Sequence, residues 1–187
     1  MSKTILIDCG AGGSKLSTPK LMAKYPGMDT YAFECDPRSR QALEDLSFRH
    51  NFRFYNRAVW IRDEKIQYYP GRERLLSAGS LIAKKKWVDT DNPVTVQAFD
   101  FSTWLHRVAR WDDEIICKMD IEGAEYAVLG KMLDDETIGM LDILHVEWHW
   151  KKLANVTGEQ HTRLLERLRT WAYESGHEKS IQILHWG

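Results

Sequence analysis

Three stretches of the chain put glycines and acids where chemistry needs them. The first is Asp8-Cys9-Gly10-Ala11-Gly12-Gly13-Ser14, directly after an apolar run. Glycine behind a buried strand permits a tight turn and a close approach of backbone to ligand. A dinucleotide fingerprint needs its third glycine where Lys15 stands. A Walker A loop needs Gly-Lys-Ser/Thr, but Ser14 precedes Lys15 and Leu16 follows. What remains is a loop that cradles a nucleoside-containing ligand without a pyrophosphate, or a tight turn and nothing more.

The second stretch is Phe33-Glu34-Cys35-Asp36-Pro37. A carboxylate ending a second strand can accept two hydrogen bonds from a ribose diol. Glu34 lies 24 residues beyond Gly10, close to the spacing of roughly 20 expected for that role. Asp36 before Pro37 reads as a helix cap. The third stretch is Lys118-Met119-Asp120-Ile121-Glu122-Gly123-Ala124-Glu125. Asp120 ends a strand. Glu122 and Glu125, three apart, are expected on one face of a first helical turn, where acids favour the helix dipole. Gly123 suits close packing or the approach of a ligand.

These residues need a frame. Short apolar runs alternate with amphipathic ones: strands at 4–9, 30–34, 52–60, 114–120, 141–147 and 180–186, helices at 17–25, from Asp36, 102–108, 122–133 and 157–174. Ala42, Leu43 and Leu46 give the second helix an apolar stripe, and Leu164, Leu165, Leu168 and Trp171 give one to the last. Strands alternating with helices predict an α/β fold: a mostly parallel central sheet with helices on both faces. Ligands then bind beyond the carboxyl ends of the strands at the topological switch point. Asp8, Glu34 and Asp120, each at a strand end, are expected to share that rim. Residues 61–98 read as a basic, strand-containing excursion from one domain spanning 1–187.

The chain has 187 residues, 43% hydrophobic and 28% charged, which excludes disorder, collagen and a small disulfide scaffold. No apolar run reaches the ~18 residues of a membrane span, and no signal peptide opens the chain, so a cytoplasmic protein is expected. Cys9, Cys35 and Cys117 show no Cys-x-x-Cys spacing and read as buried free thiols. The net charge of −1 hides an asymmetry: residues 49–86 carry net +7 and residues 87–150 net −10. A near-neutral total argues against bulk attraction to nucleic acid, while the basic segment can hold an anionic substrate.

Taken together, Asp-x-Gly-Ala after the first strand, Phe-Glu-x-x-Pro after the second, Asn56-Arg57-Ala58-Val59 and Lys-x-Asp-x-Glu-Gly-x-Glu resemble the FkbM-type methyltransferases. Leu144-His145-Val146-Glu147-Trp148-His149 resembles that family's fifth strand. The resemblance covers roughly residues 4–150. It implies a Rossmann-like class I methyltransferase fold and S-adenosyl-L-methionine as cofactor, with S-adenosyl-L-homocysteine as product. Asp8 and the loop Gly10, Ala11, Gly12 would serve the cofactor's methionine part, Glu34 its ribose, and Cys35, Asp36 and Ala58 the adenine side. Asp120 would lie near the transferred methyl group, and Ser80 would face the pocket. Ser14 departs from the family's final loop glycine, and only one strand follows the long helix.

A hydroxyl acceptor must lose its proton, and Asp120, Glu122, Glu147 and His149 are the catalytic candidates near the strand ends. Arg72, Arg74 and Lys84-Lys85-Lys86 are candidates to grip an anionic acceptor, with Tyr68, Tyr69 and Trp87 placed to stack on a sugar or base. Asp120, Glu122 and Glu147 can offer oxygen ligands to magnesium, but nothing in their spacing requires it, and no metal ligands are assigned. The expected acceptor is a small molecule or a sugar. RNA 2′-O-methylation and a non-catalytic cofactor-binding domain are the rivals.

Overall fold

The computed structural model describes residues 2–12, 17–72, 76–174 and 182–186. In chain order the elements are β1 (Thr4–Cys9), α1 (Ser17–Lys24), β2 (Asp29–Phe33), α2 (Arg40–His50), β3 (Arg53–Tyr55), β4 (Ala58–Trp60), β5 (Glu64–Tyr68), β6 (Val94–Asp100), α3 (Phe101–Val108), β7 (Glu114–Met119), α4 (Glu125–Asp134), β8 (Ile143–Val146), α5 (Gly158–Glu174) and β9 (Gln182–His185). Short 3₁₀ turns lie between several of them. Ser14, Lys15 and Arg74 fall outside the described residues. No helix among the described residues is long and apolar enough to cross a membrane.

Six strands form one parallel sheet in the order β3-β2-β1-β7-β8-β9. The order reverses at β1, so the switch point lies between β1 and β7. Alternation in β1 explains the two layers. Ile5, Ile7 and Cys9 join Phe101, Leu105, Val128, Leu129, Leu164 and Leu168 from α3, α4 and α5. Leu6 turns to the other face, against Leu21 of α1 and Ile116 of β7. Ala32 packs there too, with Leu43 and Leu46 of α2. Ala42 faces solvent, so the α2 stripe is narrower than the sequence suggested.

The expected strand at 52–60 is two strands in two sheets. The Asn56 amide donates to the Glu34 carbonyl at 2.7 Å, and Arg57 N–H folds back on the Tyr55 carbonyl. That turn breaks the ladder and sends β4 into a second sheet, β4-β6-β5. An aromatic cluster ties this sheet to the first: Phe33 lies 4.8 Å from Phe99 and 4.9 Å from Trp104, ring centre to ring centre. All three cysteines are free thiols. Cys9 and Cys117 are buried as expected, whereas Cys35 is only half-buried.

Candidate active site at the switch point

The strands of the large sheet finish in register: Cys9 pairs with Phe33 and Met119, Phe33 with Tyr55, Met119 with Val146, and Val146 with His185. The residues just past those ends are still held by the neighbouring strand. Gly10 N–H donates to the Phe33 carbonyl, Glu34 to Tyr55, Asp120 to Cys9, Glu147 to Met119 and Trp186 to Val146. Gly10, Glu34, Asp120, Glu147 and Trp186 therefore form a rigid row, and all five line a cavity of about 390 Å³. That volume falls in the usual small-molecule range of ~300–1,000 Å³.

The glycines of the first loop are required by space. Gly10 has φ +90°, and a Cβ there would sit 1.8 Å from the Asp120 carbonyl oxygen. A Cβ on Gly12 would lie 2.3 Å from Glu34 Oε2. Gly12 N–H instead donates to that oxygen at 2.9 Å, and Asp36 N–H donates to Oε1 at 2.7 Å. Burial, aided by the Asp36 charge, pushes the Glu34 carboxyl up to about 7 against the pull of these amides.

Asp36 caps the turn at Pro37 as expected, accepting Arg38 N–H at 2.9 Å. It also pairs with the Arg38 guanidinium and accepts the buried Tyr68 hydroxyl at 3.0 Å. Cys35, Asp36 and Ala58 line the cavity beside Glu34. The loop at 10–12 and the β2 end thus form one end of the cavity.

Asp8 is not on the rim. It sits one residue inside β1, on the α1 face, fully buried. Its Oδ2 accepts Ser17 Oγ at 2.6 Å and Thr18 Oγ1 at 2.7 Å. Its Oδ1 lies 3.1 Å from Lys118 Nζ, the residue beside it in the β1–β7 register. Lys118 Nζ also donates to the Gly10 carbonyl at 2.8 Å and pairs with Asp120 at 3.3 Å. Burial alone would lower the Lys118 pKa, but Asp8 and Asp120 raise it above the ordinary value, so the ammonium persists. Asp8 thus acts from behind the cavity, holding Lys118, which lines it and positions the loop and Asp120. Ala11 likewise turns its side chain into the core against Ala32 and Leu43.

The opposite wall is acidic. Glu122 does not start a helix: it has φ +53° and Gly123 φ +110°, and α4 begins only at Glu125. A left-handed glutamate costs about 1–2 kcal/mol, and it turns Glu122 to the cavity. Ser80 and Lys85 hold it there. Ser80 Oγ donates to the Glu122 carbonyl at 2.7 Å, and the buried Lys85 Nζ lies 2.8 Å from Glu122 Oε2 while donating to the Ala78 carbonyl at 2.6 Å. Ser80 lines the cavity as expected, but its hydroxyl proton is spent on this backbone.

Glu125 turns inward instead of sharing a face with Glu122. Its Oε2 accepts Gly123 N–H at 2.7 Å, and its Oε1 lies 2.8 Å from His149 Nδ1. His149 is buried behind the wall rather than on the cavity surface. Its Nε2 stands 3.3 Å from Glu122 Oε2, 3.3 Å from Glu147 Oε1 and 3.8 Å from Asp120 Oδ1. Burial lowers the imidazole pKa, but the hydrogen bond to Glu125 and the close carboxylates of Glu147 and Glu122 outweigh it and raise it to about 10. Burial, with the Glu147 charge, raises the Asp120 carboxyl. The close contact with His149 lowers Glu147.

Asp120, Glu122 and Glu147 are therefore brought together on one wall, with His149 linking them. Arg72 and Lys84 are not brought in. Both are exposed, and Arg72 Nε donates to the Val88 carbonyl at 3.2 Å. Trp87 is also exposed, at 49%. Lys118, Trp186, Arg57, Lys20 and Lys152 line the cavity without having been assigned to the site, while Lys85 and Tyr68, expected to meet an acceptor, hold Glu122 and Asp36 instead. A lysine inside the run Ile115-Ile116-Cys117-Lys118-Met119 signals a buried cation that needs acids beside it. Nothing in Lys84-Lys85-Lys86 marks the middle lysine.

A parallel six-stranded sheet with its cavity at the switch point fits a Rossmann-like fold. The family model described as the methyltransferase FkbM domain matches residues 8–175. Comparison with curated proteins and with solved structures gave no match. The match spans the loop at Gly10, the β2 acid, the second sheet and the acidic wall, and the chain belongs to the FkbM methyltransferase family.

Proposed function

We propose that the protein is an S-adenosyl-L-methionine-dependent methyltransferase that methylates a hydroxyl oxygen of a small molecule or sugar. Family membership implies a methyl-donor cofactor. The observation that carries the choice of donor is the Glu34 cradle: a carboxylate at the end of β2, fixed by two amides and faced by Gly12, where a Cβ would collide with it. Ribose hydroxyls would donate to Glu34, and the adenine would lie along Cys35, Asp36 and Ala58. The amino-acid end would meet Asp120, whose carboxylate Lys118 orients. When bound, this cofactor supplies a methyl group already activated on a sulfonium.

The chain's own contribution is then placement and proton handling. The site would hold the acceptor oxygen in line with that methyl group, so that methyl transfer would leave the electron pair of the broken bond on the donor's sulfur. The hydroxyl proton passes to the wall of Asp120, Glu122 and Glu147. Glu147, half-buried and with its pKa lowered, is the ionised acceptor of that wall. His149 orients the wall and offsets its charge. Lys20, Arg57 and Lys152 on the lining favour an anionic acceptor.

Calorimetric titration with S-adenosylhomocysteine, with NAD and ATP alongside, tests the reading. Binding of S-adenosylhomocysteine alone is expected, and it should tighten as pH rises through about 7 because Glu34 accepts best when ionised. Glu34→Gln should weaken it roughly 10-fold or more, as for a lost charge-assisted hydrogen bond, and remove the pH dependence. A folded protein that binds NAD or ATP instead would overturn the assignment.

A further inference from the structure

The acidic wall contains an atom that its surroundings leave without a use. Both oxygens of Glu125 accept protons, from Gly123 N–H, from His149 N–H and from the His149 ring. The ring proton facing Glu125 is therefore on Nδ1, and a cation at Nε2 would take the place of that nitrogen's own proton. His149 is fully buried at its side chain, and Nε2 has no hydrogen-bond partner. Glu122 Oε2 beside it has none either, although Lys85 stands near as a counter-charge. The two atoms lie 3.3 Å apart, with Glu147 at 3.3 Å and Asp120 at 3.8 Å from Nε2.

Charge and spacing agree. Asp8, Asp120, Glu122, Glu125 and Glu147 are joined through close contacts with His149 and only three lysines, Lys85, Lys118 and Lys152. Once a cation displaces the Nε2 proton, the carboxylates of the group exceed its lysines by two charges. Ligand atoms around a divalent ion with bonds of about 2.2 Å stand roughly 3.1 Å apart when adjacent. The distances from Nε2 to Glu122, Glu147 and Asp120 are 3.3, 3.3 and 3.8 Å. One atom from each of Asp120, Glu122 and His149 lies within 4.8 Å of the others. A carboxylate on the far nitrogen of a ligating histidine is the common second partner of metal-bound imidazole.

We infer that Asp120, Glu122 and His149, with Glu147 beside them, hold a divalent cation in the wall of the cavity. An imidazole nitrogen among carboxylates suits manganese or a later transition ion better than magnesium, which prefers oxygen alone. Asp120, Glu122 and Glu147 line the cavity, so the ion's remaining positions face an incoming oxygen. There it would lower the pKa of an acceptor hydroxyl. That use rests on the methyltransferase reading; the site itself does not.

The test is titration of chelator-treated protein with Mn²⁺, followed by electron paramagnetic resonance and calorimetry. One ion per chain is expected, with a ¹⁴N coupling from a directly bound imidazole. His149→Gln should abolish that coupling, and Asp120→Asn should weaken binding at least 10-fold. Mg²⁺ should displace Mn²⁺ only in large excess. The coupling is read on the unmodified protein, so it stands even where a variant fails to fold. No saturable Mn²⁺ binding by folded protein, or binding without a ¹⁴N coupling, overturns the proposal. A parallel titration with S-adenosylhomocysteine separates the two readings. Mn²⁺ binding without it upholds the cation site and removes the proposed donor. The reverse overturns the cation site and leaves the donor in place.

Discussion

Glu34 reports its own proton through stability. Its carboxyl ionises near 4.5 when unfolded and at about 7 in the fold. Between those values the unfolded chain releases its proton first, so stability falls as pH rises, and the deficit is complete above about 7. A cost of about 3–4 kcal/mol is expected, visible as a declining denaturation midpoint from pH 5 to 7.5. That component of the slope should vanish in Glu34→Gln. Lys118 works in the opposite sense, because its removal strands charge. Lys118→Met leaves Asp8 fully buried with two hydroxyls and no cation. A loss of about 3–5 kcal/mol is expected in urea unfolding, and adding Asp8→Asn should recover part of it. Glu34 and Asp120 were legible because each is the first acid past an apolar run. Asp8 was misread as a rim residue because the residue that ends a run was taken for the one that follows the strand. Lys85 was illegible, since its burial comes from tertiary packing of the second sheet.

At the scale of elements, α1 is pinned to β1 through polar side chains as well as through Leu21. Thr18 is fully buried, and its hydroxyl donates to Asp8. Thr18→Val keeps the volume and deletes the donor, so about 1–2 kcal/mol should be lost in thermal unfolding. Gly10→Ala is expected to do more damage, because the new Cβ meets the Asp120 backbone oxygen and not a yielding side chain. Loss of S-adenosylhomocysteine binding together with a drop of about 3 kcal/mol or more is the expected result, by calorimetry and urea titration. The order of strands and helices was readable from periodicity, and most boundaries fell within a few residues. Two junctions were not readable. The break after Tyr55 depends on the Asn56 side chain reaching the Glu34 carbonyl. The late start of α4 depends on Glu122 and Gly123 taking positive φ, which a pattern of acids at helical spacing does not disclose.

At the scale of the whole molecule, the charge asymmetry along the chain becomes internal pairing. From the basic segment, Lys85 meets Glu122, Arg62 meets Glu64 and Arg53 meets Asp29. The net −10 of residues 87–150, which include the acidic wall of the cavity, opposes the approach of a phosphate backbone. Filter binding of RNA at low salt is therefore expected to show no affinity tighter than about 0.1 mM and no steep salt slope. A steep slope would move the acceptor class to nucleic acid. The parallel sheet was implied by alternation alone, because parallel strands need crossover helices. The smaller sheet was foreshadowed only as a strand-bearing excursion, since its partners are set by the aromatic contacts of Phe33, Phe99 and Trp104.

The registered strand ends carry a consequence for laboratory evolution. Each backbone position at the rim is fixed by its neighbour strand, while the core lies on the other side of the last strand residue. Substitution libraries at Arg57, Ser77 and Leu81, which line the cavity without entering the Asp8–Lys118 or His149 clusters, can therefore retune the choice of acceptor while the folded scaffold stays unchanged. The molecule separates what it must keep in order to fold from what it is free to vary in order to select.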